Sequence, residues 1–353
     1  MRLLRQLIRK TADRMTCIGT DGFSETCPIS IIDIQKWEWA QGVGLYGLYR
    51  GFEATGDQNY LTFLLEWYDS RLKEGLPPRN INTTAPMLTL TFLYEITKKP
   101  NYLALIEDWA DTVMNHMRRT PEGGLCHVVS GSQNEGQLWV DTLFMTVLFL
   151  ARAGVLLNRP DYIEETKRQF LVHIKYLYDK TTGLWFHGWS FFRNDNFAGA
   201  LWGRGNCWYT AGVVDYIDIL GLEDGGLKAY LLDTFTAQAK ALKRFQAPNG
   251  MWHTLLNDPS SYLETSATAG FCYGLLKGIR KGYLDQSFAA PAQAALQAVI
   301  SRILPDGTVS DVSYGTGLSD NLEYYKTIKK CPMTYGQALA LLCMSEALLG
   351  GKQ

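Results

Sequence analysis

A carboxylate at residue 141 is the strongest candidate in the sequence for chemistry on a small substrate. Asp141 follows Trp139 and opens a run, 142–151, that carries almost no polar residue. A carboxyl group partly removed from water beside an indole ring should have a raised pKa, which suits an acid or base. An aspartate at the start of a helix is also favoured by the helix dipole alone. A catalytic and a purely structural role are therefore both open for Asp141.

Basic and aromatic side chains suited to sugars recur in the same parts of the chain. Arg204 lies between Trp202 and Trp208, where an arginine could bind a ligand or form a salt bridge between helices. His127 and His187 each follow a turn that contains glycine, and each could donate to a substrate or belong to an ordinary loop. Aromatic faces stack on the CH groups of sugar rings, while arginine and histidine donate to hydroxyl and carboxylate groups. The pattern predicts a sugar-binding cleft.

We expect neither a catalytic metal nor a cofactor. The histidines, cysteines and carboxylates show no HExxH or CxxC spacing, which zinc sites commonly use. The stretch 42–47 matches the GxGxxG pattern of dinucleotide-binding loops, but no strand precedes it. Glycines that let buried helices approach closely explain this match better.

Two kinds of helix must position these residues, and they alternate along the chain. One kind is apolar on one face only, as surface helices are, and the other is apolar or small nearly all round, as buried helices are. The first kind is predicted at 2–15, 58–73, 101–118, 161–178, 225–246 and 286–303, and the second begins near Trp39, Ala85, Trp139, Trp208, Ser266 and Tyr335. Such regular alternation indicates a repeat architecture.

The connections between these helices are of two lengths. Short links lead from buried to amphipathic helices, which favours antiparallel hairpins. Long loops lead into the buried helices at 119–136, 179–203, 247–263 and 304–332. We therefore predict an all-α fold, an (α/α)6 toroid in a single domain 1–353, whose long loops wall a cleft at one end. The last inner helix, 333–350, lacks a following partner, which the N-terminal helix can supply.

Composition excludes several classes of protein. The 353 residues carry 34 Lys+Arg against 35 Asp+Glu, so the basic stripe of a nucleic-acid binder is not expected. No apolar stretch reaches the roughly 18–20 residues that a membrane-spanning helix needs, and no signal peptide is recognisable. Seven scattered cysteines, Cys27 among them, predict reduced thiols. We expect a cytoplasmic protein, a monomer or weak homo-oligomer, whose partner is a small oligosaccharide rather than nucleic acid or membrane.

Three motifs together resemble a known enzyme family. The segments Gln137-Leu-Trp-Val-Asp-Thr, Trp202-Gly-Arg-Gly-Asn-Cys-Trp and Ser313-Tyr-Gly-Thr-Gly are similar to motifs of the unsaturated rhamnogalacturonyl hydrolases of glycoside hydrolase family 105. These enzymes are related to the unsaturated glucuronyl hydrolases of family 88. The resemblance covers nearly the whole chain and implies the (α/α)6 toroid that the helix pattern predicts.

The resemblance also implies a reaction. Such enzymes act on oligosaccharides left by polysaccharide lyases, and they hydrate the C4=C5 double bond of the terminal unsaturated uronic acid. A hydration can use one carboxyl group that gives a proton and then takes one from water, and by motif that group is Asp141. The leaving sugar implied for rhamnogalacturonan fragments is rhamnose.

The remaining roles follow from the same resemblance. Arg204 would hold a hydroxyl or carboxylate, with His127 and His187 as neighbouring donors. Thr316 would meet the uronate carboxylate through backbone N–H groups. The cleft walls would be formed by Trp39, Trp139, Trp202 and Trp208.

One departure from the family 88 pattern concerns the second inner helix. Family 88 relatives have an aspartate near its start, where this chain reads Asn80-Ile-Asn82-Thr-Thr. The departure favours family 105. It leaves Asn82 to hydrogen-bond either the sugar or Asp141.

Alternative functions of other classes stay open. A sugar epimerase of this shape usually needs two histidines, for which His187 and His253 are available, and a conventional glycosidase needs two carboxylates. A non-catalytic glycan-binding module would bind oligosaccharide without turnover. In such a module Asp141 would be dispensable.

Overall fold

The computed structural model describes residues 1–19 and 32–351, which are predominantly helical. The helices are α1 (Arg2–Thr16), α2 (Trp39–Thr55), α3 (Gln58–Glu74), α4 (Ala85–Thr97), α5 (Pro100–Asp111), α6 (Leu148–Leu156), α7 (Pro160–Leu177), α8 (Gly203–Leu220), α9 (Gly226–Phe245), α10 (Thr265–Arg280), α11 (Ala289–Ile300), α12 (Leu322–Thr327) and α13 (Thr334–Gly350). Single π-helical turns follow α5 at Thr112–His116 and precede α6 at Leu143–Val147, and a 3-10 turn, Gln286–Phe288, precedes α11. The predicted helices agree broadly with these bounds, except that α8 begins at Gly203 rather than near Trp208 and that α12 lies in a segment predicted as a long loop.

The helices form two concentric rings. The inner ring consists of α2, α4, α6, α8, α10 and α13, each packed against the next, and α13 packs against α2 to close it. The outer helices α3, α5, α7, α9 and α11 each contact an inner helix, and α1 packs against α13. The N-terminal helix therefore supplies the missing outer partner, and the fold is the predicted (α/α)6 toroid.

Glycines allow the inner helices to touch. A Cβ on Gly47 of α2 would lie 2.6 Å from the Cα of Ala338 in α13. A Cβ on Gly42 would lie 2.5 Å from the backbone nitrogen of Pro86 in α4. No larger residue fits at such distances, so the GxGxxG match serves helix packing, as expected.

The long loops contain short paired strands, which the sequence pattern does not predict. They are β1 (Gln137–Trp139), β2 (Tyr178–Asp179), β3 (Leu184–Trp185), β4 (Gly188–Ser190), β5 (Trp252–His253) and β6 (Leu263–Glu264). They pair antiparallel as β1 with β4, β2 with β3 and β5 with β6. Strands of two or three residues are too short for an alternating pattern to be visible in a sequence.

Two further expectations concern thiols and membranes. Cys17, Cys126, Cys207, Cys272 and Cys343 are free thiols, whereas Cys27 lies outside the described residues. Across residues 1–19 and 32–351, no helix combines the length and apolar character required to cross a membrane.

Candidate active site

A cavity of about 560 Å³ opens at the N-terminal ends of the inner helices. Its wall includes loop segments 129–132 and 315–318, which belong to the long loops. The predicted site residues that line it are Trp39, Asn82, His127, Trp139, Asp141, Trp202, Arg204 and Thr316. The ring thus brings these distant residues to one end, where the loop lengths predict a cleft.

The β1–β4 pair brings Asp141 beside His187. Trp139 pairs with Gly188 in this ladder, and the backbone N–H of Val140 donates to the carbonyl of His187 at 3.1 Å. The two side chains that follow then meet, with Nε2 of His187 3.5 Å from Oδ2 of Asp141. Backbone pairing therefore sets the distance between the candidate catalytic carboxylate and its nearest histidine.

Trp208 contacts the other oxygen of the same carboxylate. Its Nε1 donates to Oδ1 of Asp141 at 3.0 Å. Trp208 and His187 are both buried and do not line the cavity, which corrects their expected roles as a cleft wall and a substrate donor. Because α8 begins at Gly203, Trp208 falls in its second turn, inside the ring, and holds Asp141 instead.

The carboxyl group of Asp141 is ionised more readily than expected. Burial raises its pKa, but His187, His127 and Arg204 together outweigh burial and hold the pKa below its usual value. The expected upward shift is therefore wrong in direction, because the basic neighbours were not part of that expectation. Asp141 is also the first helical residue of its segment, so stabilisation by the helix dipole stays open, although its hydrogen bond comes from the indole of another helix.

One oxygen of this carboxylate lacks a well-formed hydrogen bond. Oδ2 of Asp141 and Nε2 of His187 are buried, and neither makes a hydrogen bond with good geometry. The Asp141 side chain is nevertheless 14% exposed and borders the cavity. The exposed part of the side chain therefore lies at its other atoms, and Oδ2 itself is shielded from solvent.

His127 is a neutral, stacked ring in the cavity wall. Its ring lies 4.3 Å from that of Trp139 and nearly parallel to it, and its Nδ1 is 2.9 Å from Oγ1 of Thr142. Burial lowers the pKa of His127 to about 4. At neutral pH this ring is therefore uncharged and can exchange hydrogen bonds with a sugar without adding charge.

Arg204 is held between two aromatic rings. Its Cζ lies 4.6 Å from the ring centre of Trp202 and 4.8 Å from that of Tyr335, and the residue is 1% exposed. Stacking on both faces fixes the plane of the guanidinium and leaves only its edge for hydrogen bonding.

The edge of the Arg204 guanidinium forms hydrogen bonds with the loop at 313–316. Nη1 of Arg204 donates to the carbonyl and hydroxyl of Ser313, and Nη2 donates to the carbonyl of Tyr314 and to Oγ1 of Thr316, the latter at 2.9 Å. The terminal nitrogens already have protein acceptors, whereas Nε of Arg204 has no hydrogen-bond partner in the described structure, so a direct contact with substrate stays a prediction. Its positive charge still lies in the cavity wall.

Thr316 uses its hydroxyl within the loop. Oγ1 accepts from Arg204 and donates to the carbonyl of Tyr314 at 3.0 Å. The neighbouring N–H of Gly317 donates to the hydroxyl of Tyr324 at 3.1 Å. The contact between this loop and a uronate carboxylate stays a prediction.

Glu38 is a second carboxylate in the cavity wall that sequence reasoning missed. It caps α2, accepting from the N–H of Trp39 at 3.1 Å and from the hydroxyl of Ser130 at 3.4 Å. Burial raises its pKa, although hydrogen bonds, including one from Asn82, oppose the rise. Asn82 therefore contacts Glu38, where we expected the sugar or Asp141. A glutamate directly before a predicted helix start was the available signal.

Phe197 is a strained aromatic residue in the wall, also missed. Its φ is +57°, a left-handed conformation that is rare for a bulky residue. Its N–H donates to Oδ1 of Asp195 at 3.0 Å, and the Cζ of Arg193 lies 4.7 Å from its ring centre. Arg193 is in turn paired with Asp195 and Asp320. Strain held in place by such contacts is typical of functional sites.

The structure also bears on the histidine pair considered for an epimerase and on a possible metal site. His253 does not line the cavity, and its Nδ1 bonds the carbonyl of Ser261, so the histidine pair offered for an epimerase is not assembled there. In the described part of the chain, no group of three or more His, Cys, Asp or Glu residues is arranged to hold a metal ion.

Comparisons with known proteins agree with the fold. The model of the family described as Glycosyl Hydrolase Family 88 matches residues 11–349. The unsaturated rhamnogalacturonyl hydrolase YesR of Bacillus subtilis is 34% identical over 322 residues, which cover 88% of this chain and 90% of that protein. A solved structure described as a possible member of the GH105 family, from Salmonella enterica, aligns with a TM-score of 0.95 at 43% identity over 98% of this chain and 93% of its own. Another so described, from Klebsiella pneumoniae, aligns with a TM-score of 0.95 at 42% identity over 99% and 93%.

Proposed function

The chain belongs to Glycosyl Hydrolase Family 88, and from this membership we propose that it removes the terminal unsaturated uronic acid from short oligosaccharides made by polysaccharide lyases. The name of the B. subtilis relative, unsaturated rhamnogalacturonyl hydrolase, supports fragments of rhamnogalacturonan as the substrate class. Rhamnose is then the leaving sugar. We infer that residues 1–353 act as a single catalytic domain.

The observation that carries this proposal is the placement of one carboxylate. Asp141 borders the cavity, with Oδ1 bound to Trp208 and Oδ2 buried without a well-formed hydrogen bond. A single carboxylate, with an indole at one oxygen and an imidazole near the other, suits an acid that works alone. Conventional glycosidases instead need two carboxylates at a defined separation.

The proposed reaction is hydration of an enol ether. The protonated carboxyl of Asp141 gives its proton to C4, and positive charge develops at C5 and the ring oxygen. Water then adds its oxygen to C5 and returns a proton to the Asp141 carboxylate. The resulting hemiketal opens by cleavage of the bond between C5 and the ring oxygen, which leaves a ketone at C5 and a hemiacetal at C1. That hemiacetal then loses the partner sugar and leaves an aldehyde at C1, so the products are the free sugar and a 4-deoxy-5-keto uronic acid.

This reaction requires Asp141 to be protonated when substrate is bound. In the free protein the basic neighbours lower its pKa. A uronate carboxylate bound in the same cavity brings a like charge close to Asp141, which raises the pKa of a carboxyl group. We infer that substrate binding itself supplies the protonated form.

Loss of the substrate double bond tests the proposal. Unsaturated rhamnogalacturonan disaccharide absorbs in the ultraviolet, and the absorbance should fall as C4=C5 is hydrated. The saturated disaccharide should release no rhamnose. Release of rhamnose from the saturated compound at a comparable rate would favour a conventional glycosidase, and binding without any turnover would favour a glycan-binding module.

Glu38 supports the conventional glycosidase as the second candidate. It is another carboxyl group in the cavity wall, and burial raises its pKa, as expected of a general acid. Against this role, one of its oxygens caps α2 through Trp39 and the other accepts from Ser130. We therefore favour hydration by Asp141 alone.

A further inference from the structure

We propose that Tyr325 is a positioning residue for Asp141, because it fixes the tautomer in which His187 presents an N–H group to the carboxylate. The inference rests on the proposed function for its kinetic consequence. Tyr325 lies on α12, in the last long loop, far in sequence from both partners.

A continuous line of polar atoms connects Tyr325 to the cavity. Its hydroxyl is 2.8 Å from Nδ1 of His187, and Nε2 on the opposite side of that ring is 3.5 Å from Oδ2 of Asp141. Tyr325 is 0% exposed and His187 is 1% exposed. Bulk water therefore cannot replace either partner.

The direction of the Tyr325–His187 hydrogen bond follows from what else the hydroxyl does. The backbone N–H of Ser319 donates to the hydroxyl oxygen of Tyr325 at 3.3 Å. That oxygen thus has a donor already, and its own hydrogen has Nδ1 of His187 as its nearby acceptor. A neutral imidazole that accepts at Nδ1 carries its hydrogen on Nε2.

Electrostatics favour the same tautomer. If Nδ1 carried the hydrogen, the lone pair of Nε2 would face the lone pairs of Oδ2 of Asp141 across 3.5 Å. With the hydrogen on Nε2, the same approach becomes an attraction between an N–H and a carboxylate. The two contacts of the ring, to Tyr325 and to Asp141, therefore support one another.

Packing keeps the imidazole in this orientation. The ring centre of His187 lies 4.3 Å from that of Trp202 and 5.1 Å from that of Trp139. A ring enclosed by two indoles cannot flip to exchange its nitrogens without moving them. Tyr325 itself packs against Trp202.

The other charged or titratable groups near this line are few. His127 and Arg204 act on Asp141 from the first long loop and from α8. Tyr324 and Asp320 act on Tyr325 from its own loop. Removing the Tyr325 hydroxyl leaves all of these in place and changes two contacts, the one to Nδ1 of His187 and the one from the N–H of Ser319.

The N–H of His187 matters most after Asp141 has given its proton to C4. At that point the group is a carboxylate, and the N–H stabilises the negative charge left on Oδ2. Losing a fixed donor should slow the protonation step and raise the pKa of Asp141. Since the protonated carboxyl is the active form, the alkaline limb of the pH profile should then move to higher pH.

The first test reads the tautomer directly and needs no activity. Protein labelled with 15N-histidine is observed by NMR, and a His187→Gln variant identifies the His187 signals. The expected result is one tautomer with hydrogen on Nε2, which becomes a mixture in Tyr325→Phe. Hydrogen on Nδ1 in the unaltered protein would overturn the inference, whatever the protein catalyses.

The second test is kinetic. Tyr325→Phe should lower kcat roughly tenfold, equivalent to about 1.4 kcal/mol, with KM changed less than about twofold, and should move the alkaline limb to higher pH. The matched control is Tyr216→Phe, which removes another buried hydroxyl, bonded to Thr166 at 3.1 Å and outside the cavity. An unchanged kcat and pH profile in Tyr325→Phe would refute the positioning role. An inactive unaltered protein with the expected tautomer would instead reject the proposed function and leave the hydrogen-bond geometry confirmed.

Discussion

Nε2 of His187 lies 3.5 Å from Oδ2 of Asp141, inside the ring and at the edge of the cavity. This separation is longer than a strong charge-assisted hydrogen bond. The carboxylate is therefore influenced by the imidazole without being fully engaged by it. This arrangement suits an acid that must give up a proton and later recover one, because the imidazole stabilises the carboxylate without binding it tightly.

Asp141→Asn should nearly abolish turnover while leaving the fold intact. The amide keeps an oxygen that can accept from Trp208, but it has no acidic proton for C4. General acid–base groups contribute about 10²–10⁴-fold, so we expect a loss of at least about 10²-fold in the decay of ultraviolet absorbance. Asp224→Asn, at a side chain that is 97% exposed, is the matched control. Full activity in Asp141→Asn would eliminate this residue as the acid.

Glu38→Gln should separate the two mechanisms. Glutamine can still accept from the N–H of Trp39 and thus keep the cap on α2. Under hydration by Asp141 alone, kcat should fall by less than about tenfold, since only wall contacts change. A loss as large as that of Asp141→Asn, measured on the same disaccharide, would show that two carboxylates are required.

Arg204→Lys should weaken catalysis through the loop at 313–316. Lysine keeps the positive charge but cannot reproduce the planar fork that bonds Ser313, Tyr314 and Thr316. We expect kcat/KM to fall at least about tenfold and amide hydrogen exchange to rise at 313–318. Arg244→Lys, at an exposed arginine, should change neither. Unaltered exchange in the loop would contradict the role assigned to the guanidinium.

Phe197→Ala should lower the affinity for substrate more than the rate. The ring lines the cavity and supplies a flat apolar face of the kind on which sugars stack. Losing it should raise KM roughly tenfold with kcat reduced less. Phe192→Ala, at a ring that is 73% exposed and outside the cavity, serves as the comparison. Equal KM values for the two variants would exclude Phe197 as a sugar platform.

Stability should fall as the pH drops from about 6.5 to about 4. Burial lowers the pKa of His127 and of His173 from the ordinary 6.5 to about 4, so across this window the unfolded chain binds more protons than the folded one. Stability from a neutral buried histidine is then complete above the unfolded pKa and is lost as the pH falls, at up to about 1.4 kcal/mol per histidine per pH unit. The lowered pKa of Asp141 contributes stability that is complete above its ordinary value of 3.8 and is lost only as the pH falls below that value.

Urea unfolding at pH 7, 5.5 and 4.5 checks this sign. His173→Gln, on α7 outside the cavity, should reduce the pH slope of the unfolding free energy without changing activity. A pH slope that is the same in this variant and in the unaltered protein would contradict the assigned pKa of His173.

The helix pattern predicts the architecture because each layer of the toroid has its own composition. Inner helices such as α13 are buried nearly all round, and outer helices such as α5 have one wet face. The N-terminal helix could be assigned to the ring because α13 otherwise lacks an outer partner. These features depend on residue type and spacing, which a sequence displays directly.

The site was predicted less completely, because contacts between segments that are distant in sequence determine which of its side chains meet. Asp141, Trp139 and Arg204 stand in recognisable motifs, and all line the cavity. The hydrogen bond from Trp208 to Asp141, however, depends on where α8 begins and how it packs on α6. Likewise, Tyr325 is brought to His187 by the fold of a loop that has no periodic pattern.

The packing of α1 on α13 has a consequence for biosynthesis. Nε2 of Gln337 donates to the carbonyl of Thr11 at 3.1 Å, across 326 residues of chain. At roughly 5–20 residues per second, about 16–65 s pass on the ribosome between the synthesis of these two residues. During that time the apolar face of α1, with Ile8, Ala12 and Met15, has only its smaller contact with α2. Most of the surface that α1 buries in the finished ring therefore becomes covered only when the last inner helix has been made.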